Sequence, residues 1–352
     1  MVFDKKNFSD RLIHWYEGHK RNLPWRKTKD PYKIWISEVM LQQTTVQAVL
    51  PYYRAWLKIF PDIRSLARAP LQRVLKAWQG LGYYGRARNL HATAKMIVEN
   101  HRGKLPHDPD VLAGLPGFGP YTTAAVLSLA YQKVLPVLEA NVRRVMMRLA
   151  ALHGKADGRH DKAILAELLK TIDRKSPGDF NQALMELGAL VCRARNPQCL
   201  LCPIQTSCAA YARGEQDVIP APKSRRSQKV KAVLGIIRKG AKYLIQQRPE
   251  TGLLAGLWEF PGGKAKRGET LERALARELN EELGVELHDA KFLLKVEHCY
   301  TQYRIALHAY ACRLKTEPAL EPGRQKWVAL RDIHKYPIPS GSAKIVHFLE
   351  NK

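Results

Sequence analysis

The sequence predicts two domains of different class, an all-α domain followed by an α+β domain, and three observations carry that expectation. Length comes first: 352 residues exceed one ordinary domain at roughly 150 residues each. Next is a change of apolar period near Lys231, from three- and four-residue spacing to short β-rich runs. Third, GEQDVIPAPKSRRSQKVK lies between the two regimes with two prolines, a basic run and no helical period. The expected limits are residues 1–212, a basic linker over 213–230, and residues 231–352. A hydrophobic content of 45% is that of a folded chain. The first residues mix charges of both signs, and no apolar run of about 18 residues follows. Neither a secretory signal nor a membrane span is expected.

Along the first domain, VLPYYRAWLKIF, LQRVLKAWQGL, NLHATAKMIVEN and NVRRVMMRLAAL each repeat at helical spacing, with loops such as KLPHDP between them. LPGFGPYT precedes the helical run TTAAVLSLAY. Gly117 and Gly119 there permit a turn that presents amide N–H groups at a helix start, which suits a phosphate; an ordinary helix connection is the plainer alternative. Four cysteines, Cys192, Cys199, Cys202 and Cys208, fall within 17 residues as C-x6-C-x2-C-x5-C. Without a secretory signal, such a cluster points to metal rather than disulfides. One compact loop suits an iron–sulfur cluster better than zinc, whose structural sites show two paired halves; zinc and free thiols stay open. In the second domain, AVLGIIRKGAKYLIQQR reads as two strands about a Lys-Gly turn, and KFLLKVEHCYTQYRIALHAYACRL as two more. Cys299 and Cys312 fall in that pattern as small buried hydrophobes.

The formal charge is +26, of which +19 lies in residues 1–230 and +7 in 231–352. A surplus of that size points to a polyanion, nucleic acid before an anionic membrane, with solubility alone as the bland alternative.

The turn LPGFGPYTTAA, the carboxylate in WISEVMLQQTTV and the cysteine spacing together resemble the endonuclease III superfamily of DNA glycosylases. LPWR (23–26), SEVMLQQT (37–44), GLGYYGRARNLH (80–91) and FNQALMELGALVC (180–192) are similar to its MutY-type adenine glycosylases. The resemblance spans nearly all of residues 8–210 and implies a helix-hairpin-helix glycosylase fold with a 4Fe–4S cluster on the loop 192–208. It implies that Glu38 is the general acid protonating adenine at N7. The apolar neighbours Ile36, Val39, Met40 and Leu41 would bury that carboxyl and raise its pKa. Where family members typically read Asp-Gly-Asn-Val, this chain reads Glu139-Ala140-Asn141-Val142. Glu139 takes the role of stabilising the sugar cation on a longer stem, with Asn141 beside it; a helix-capping carboxylate is the alternative. The position of the lyase members' lysine is Tyr121, so an amine nucleophile is absent and a monofunctional enzyme is implied. Extrusion of the base falls to Gln43 and Tyr83 as wedges. Trp25, Arg26, Leu41, Val46, Tyr121, Gln182 and Glu186 would line the adenine pocket; for the apolar ones, a plain core role is as good an account.

WEFPGGKAKRGETLERALARELNEELGVEL carries an uninterrupted Nudix box. Glu278, Glu281 and Glu282 are spaced to share one helix face and to hold Mg²⁺. MutY-type proteins generally lose this box and read 8-oxoguanine through a loop resembling H-x-F-S-H-F. Here that place reads His298-Cys299-Tyr300-Thr301-Gln302-Tyr303, so Tyr300 and Thr301 keep the aromatic and hydroxyl while Gln302 replaces the histidine. Two expectations follow for the box: a relic retained for folding, or a working Mg²⁺-dependent pyrophosphatase for oxidised nucleoside triphosphates. The resemblance as a whole implies a monomeric, cytoplasmic, nucleoid-associated enzyme of base-excision repair. It would act on double-stranded DNA bearing adenine opposite 8-oxoguanine or guanine. The rivals are a nucleotide pyrophosphatase with a DNA tether and a lesion-binding protein without catalysis.

Overall fold

The computed structural model describes residues 5–222, 228–300 and 303–352, with only the backbone given at residues 5, 6, 299 and 300. Its contacts divide into two compact units, one of residues 1–53, 60–67 and 92–224, the other of 54–59, 68–91 and 225–352. Residues 54–59 and 68–91 lie in the helical part of the sequence, yet they pack with the C-terminal residues.

The helices up to residue 212 run α1 (Lys5–His19), α2 (Pro31–Leu41), α3 (Val46–Ile59), α4 (Ile63–Arg68), α5 (Leu71–Trp78) and α6 (Gly85–Asn100). They continue as α7 (Pro109–Ala113), α8 (Pro120–Tyr131), α9 (Ala140–Leu149), α10 (Asp161–Thr171), α11 (Pro177–Leu190) and α12 (Ala209–Ala212). Several begin at proline, whose missing N–H costs nothing in the first turn. In the first unit, α1, α9 and α11 bury Leu12, Tyr16, Val142, Met146, Phe180, Leu184 and Leu187 against one another. The expected linker starts fixed rather than free. Ile219 is buried, its carbonyl accepts from Arg148 at 2.8 Å, and Ala221 N donates to Gly154 O at 2.9 Å.

The second unit holds β1 (Gln228–Lys239), β2 (Lys242–Gln247), β3 (Trp258–Glu259), α13 (Leu271–Leu283), β4 (Leu287–Tyr300), β5 (Tyr303–Leu314), β6 (Gln325–Ala329), α14 (Leu330–Ile333) and α15 (Ser340–Glu350). Among the described residues the strands form one six-stranded sheet ordered β3-β2-β1-β5-β4, with β6 beside β2. The Lys-Gly turn falls where the sequence places it, with Gly240 at φ 56° between β1 and β2. Helix α13 covers one face, burying Leu275 and Leu279 with Val233, Ile237 and Tyr310. The other face buries Leu234, Ile236, Val296 and Ile345. In the same unit Gln72 of α5 accepts from Trp258 Nε1 and donates to Gly256 O, both at 3.1 Å. No helix among the described residues is long and apolar enough to cross a membrane.

Candidate active site

Helix α2 is apolar on nearly every side, so it is buried all round rather than along one stripe. Asp30 caps it, accepting from Tyr32 N and Lys33 N, and Pro31 opens it. Glu38 therefore sits in the interior, 3% exposed. Tyr121, in the first turn of α8, donates its hydroxyl to Glu38 Oε2 at 2.5 Å. Burial pushes the Glu38 carboxyl up to about 7; the Tyr121 hydrogen bond opposes that, while the charge of Glu139 adds to it. The Tyr121 phenol is held well above its usual range by burial and then by Glu38, so it is a neutral donor. Glu139 caps α9, its Oε1 accepting from Val142 N at 2.9 Å. The capping alternative for Glu139 is thus present, and its charge also acts on Glu38.

These groups line one cavity of about 690 Å³, shared with Trp25, Arg26, Leu41, Gln43, Val46, Asn141, Gln182 and Glu186. That gathers the expected acids and pocket residues into a single site, with backbone contributed by α2, α8, α9 and α11. Glu186 is fully buried. Burial alone would raise its carboxyl, but hydrogen bonds from Arg26 and Arg21 overturn that and bring it down to about 2. Arg26 meets both carboxylate oxygens at 2.9 and 2.8 Å, and Arg21 does so through its backbone N–H and guanidinium. Arg26 and Glu186 thus form a locked pocket wall. Arg21 was not foreseen; it precedes LPWR with nothing in its local pattern to mark it. Asn141 Oδ1 accepts from Arg144 at 2.8 Å, which fixes the amide. Trp25 packs edge-on to Tyr53, with centroids 5.2 Å apart.

Gly117 and Gly119 stand between α7 and α8, outside that cavity. Gly117 has φ 82°, which only glycine adopts without strain. Gly119 corrects the expectation: its φ is −80° and a Cβ there would meet open space, so its backbone does not require glycine. Gln43 and Tyr83, the expected wedges, share a different property. Each is exposed and non-glycine at positive φ, 58° and 49°, the kind of strain that persists where function needs it. Tyr83 belongs to the second unit, where Arg86 lies 5.6 Å over its ring.

The four cysteines line one loop, three of them packed on the core of α9 and α11. Burial pushes the Cys202 thiol up to about 12, and Arg148 Nη1 lies 3.2 Å from Cys192 Sγ. Among the described residues, no three His, Cys, Asp or Glu are grouped to hold a single metal ion.

In the second unit a cavity of about 700 Å³ is bordered by Glu259, Gly262, Gly263, Glu278, Glu281 and Glu282. The Nudix carboxylates are held by the protein itself. Arg277 pairs with Glu278 at 2.8 Å and Glu281 at 3.2 Å, while Glu282 accepts from Gly262 N and Gln246 at 2.8 and 2.6 Å. Burial pushes Glu259, which sequence reasoning missed, up to about 7 against the opposing charge of Arg248. Thr301 and Gln302 lie outside the described residues, as does the side chain of Tyr300. Cys312 is buried in the α13 core, as expected.

Comparison with known proteins matches residues 36–172 to the HhH-GPD superfamily base excision DNA repair proteins and residues 232–348 to the NUDIX domain. The adenine DNA glycosylase of Mus musculus is 32% identical over 99% of this chain and 79% of its own. That of Homo sapiens is 32% identical over 96% and 73%. A Buchnera aphidicola adenine DNA glycosylase is 38% identical over 74% and 76%. Among solved structures, a thermostable thymine-DNA glycosylase is 28% identical with TM-score 0.54, over 59% of this chain and 97% of that one. Endonuclease III in a trapped DNA complex, at 22% identity and TM-score 0.52, over 60% and 99%, shares the fold.

Proposed function

Because the chain belongs to the adenine DNA glycosylases of the helix-hairpin-helix base-excision repair superfamily, we propose a specific reaction for it: monofunctional hydrolysis of the N-glycosidic bond of adenine opposite 8-oxoguanine or guanine in double-stranded DNA. The observation that carries this reading is Glu38, a buried carboxyl with a pKa raised to about 7 at the wall of a cavity with ample room for an extruded nucleotide. An acid so placed still holds a proton near neutrality and delivers it to N7 of an extruded adenine as the bond to the sugar breaks. Glu139, across the same cavity, supplies a negative charge for the oxocarbenium-like sugar and a base to orient water. Tyr121 aims its hydroxyl at Glu38 and keeps that acid in place. No lysine stands at Tyr121, and the phenol stays protonated, which supports direct attack by water rather than a Schiff base. Gln43 and Tyr83 serve as wedges, and the Gly117 turn as a backbone contact.

Cys192, Cys199, Cys202 and Cys208 fit a 4Fe–4S cluster. The donor set is four thiols of one loop, and a cubane takes one thiolate at each iron instead of crowding them around one ion. When bound, the cluster supplies a cross-link that holds the loop 192–208. Residues 1–212 and 231–352 then act as glycosylase and opposite-base modules of a cytoplasmic, nucleoid-associated monomer, with Tyr300, Thr301 and Gln302 at the opposite base. Single-turnover excision from duplexes bearing adenine opposite 8-oxoguanine, guanine or cytosine tests this. Excision from the first two, lost in Glu38→Gln, is expected; no adenine loss from any would overturn it.

A second reading, pyrophosphatase activity, concerns the separate cavity beside Glu259, Glu278 and Glu282, and it is favoured only by the carboxylates that the Nudix box brings to that cavity. There, Mg²⁺-dependent pyrophosphate release from an oxidised nucleoside triphosphate requires Arg277 to yield Glu278 to the ion. Assay of that release with and without chelator decides it, and adenine excision is expected to ignore the chelator.

A further inference from the structure

We propose that the uncovered end of one sheet face in the second unit is an additional nucleic-acid contact surface. It would bind the phosphodiester backbone of duplex DNA through Lys229, Lys231 and Arg304 beside the exposed ring of Phe292. The proposal rests on the duplex-DNA substrate inferred above.

Strand register places these side chains together. Parallel pairing of β1 with β5 sets Lys229 opposite Arg304, Lys231 opposite Ala306 and Val233 opposite His308. Antiparallel pairing of β5 with β4 sets Ala306 opposite Glu297, His308 opposite Lys295 and Tyr310 opposite Phe292. Paired residues share a face, and residues two apart along a strand stay on it. Phe292 and Lys295 are three apart and would part company in a regular strand. A bulge between Phe292 and Leu294 inserts one residue and turns both to the same side. On this face Val233 and Tyr310 lie under α13. Beyond them Lys229, Lys231, Lys295 and Arg304 are exposed, and Phe292 is 50% exposed.

The exposed end of the strip sets four cations against Glu297, while Glu272 of α13 meets Tyr310 at its covered end. Glu297 pairs with Lys295 at 2.6 Å, and its carboxyl is held low by Lys295 first, then by Arg304 and Lys229. Lys295 is thereby committed, leaving Lys229, Lys231 and Arg304 to face an outside anion. Burial, then Lys295 and Lys231, pull the His308 imidazole below its usual range, so it adds an aromatic wall instead of charge. Phe292 leans on His308 and edge-on on Tyr310, with centroids 6.3 and 5.6 Å away. A ring braced from behind with its outer side open is an apolar platform for a backbone sugar. Strands about 4.8 Å apart hold these cations close enough to meet a polymer carrying one charge per roughly 1.7 Å of axis. An acidic protein segment offers no such charge density.

The test measures the salt dependence of full-chain binding to a plain duplex for the parent, the triple variant Lys229→Ala/Lys231→Ala/Arg304→Ala, and Phe292→Ala. Each lost phosphate contact is expected to make the slope of log K against log salt shallower by about 0.9. Phe292→Ala is expected to weaken binding with the slope unchanged. A parental slope in a triple variant that melts with the parent would overturn the proposal and leave the strip to an acidic protein. Should the triple variant melt early, Lys231→Gln alone, expected to change the slope by about 0.9, decides in its place. Absence of adenine excision in the parent would remove the substrate reading without touching the slope, since the slope is read on undamaged duplex.

Discussion

At the scale of single residues, the chemistry turns on Glu38 keeping a proton where an exposed glutamate would have lost it. Its pKa is raised to about 7, and the protonated form is the active one. The single-turnover rate should therefore hold level below about 7 and fall nearly tenfold per pH unit above it. Glu38→Gln should lose about 10²- to 10⁴-fold and flatten that profile. Tyr121 donates to the charged form and so lowers the Glu38 pKa. Removing the hydroxyl in Tyr121→Phe should therefore move the descending limb to higher pH, which a rate profile on both proteins checks. Glu139 pushes the other way and has two jobs that one substitution separates. Glu139→Gln keeps an oxygen for the Val142 N–H but deletes the charge. Melting should shift by no more than a cap is worth, about 1 kcal/mol, while excision falls about a hundredfold or more and the limb moves to lower pH.

At the scale of elements, the site depends on how closely α11 can approach α9. A Cβ on Gly188 would lie 2.6 Å from the Asn141 Cβ. Gly188→Ala should accordingly cost about 1–3 kcal/mol by overpacking and slow excision by displacing Asn141, as denaturant titration and single-turnover rates would report. The turn before α8 gives a paired contrast. Gly117→Ala should cost about 1 kcal/mol or more for its left-handed backbone, while Gly119→Ala should leave both stability and duplex binding unchanged. That contrast also shows what the sequence could and could not disclose. The helices, the strand pairs about Gly240 and the burial of Glu38 were legible because apolar period and an all-apolar α2 encode them locally. That only Gly117 needs glycine's backbone freedom was not legible, because a Gly-x-Gly pattern gives no backbone angle. Arg21 and the Arg26–Glu186 lock were invisible because their partners lie about 160 residues away in the chain, and the side on which Phe292 emerges depends on a bulge that period-2 alternation cannot foresee.

At the scale of the whole molecule, two kinds of electrostatics coexist and respond differently to salt. The formal charge of +26 is spread over exposed lysines and arginines, whose pull on phosphates is a counterion-release effect. With about 6–10 phosphate contacts, duplex affinity should fall by about 10³- to 10⁵-fold between 50 and 200 mM salt. Glu38, 3% exposed, owes its shift chiefly to desolvation and to neighbours inside a cavity, where mobile ions screen little. Raising salt should thus weaken binding steeply while leaving the alkaline limb of the single-turnover profile near 7, provided enzyme is kept saturating at each salt concentration. A limb that travels with salt would mean that surface charge, rather than burial, sets the acid, and the mechanism would have to be rebuilt around an exposed proton donor.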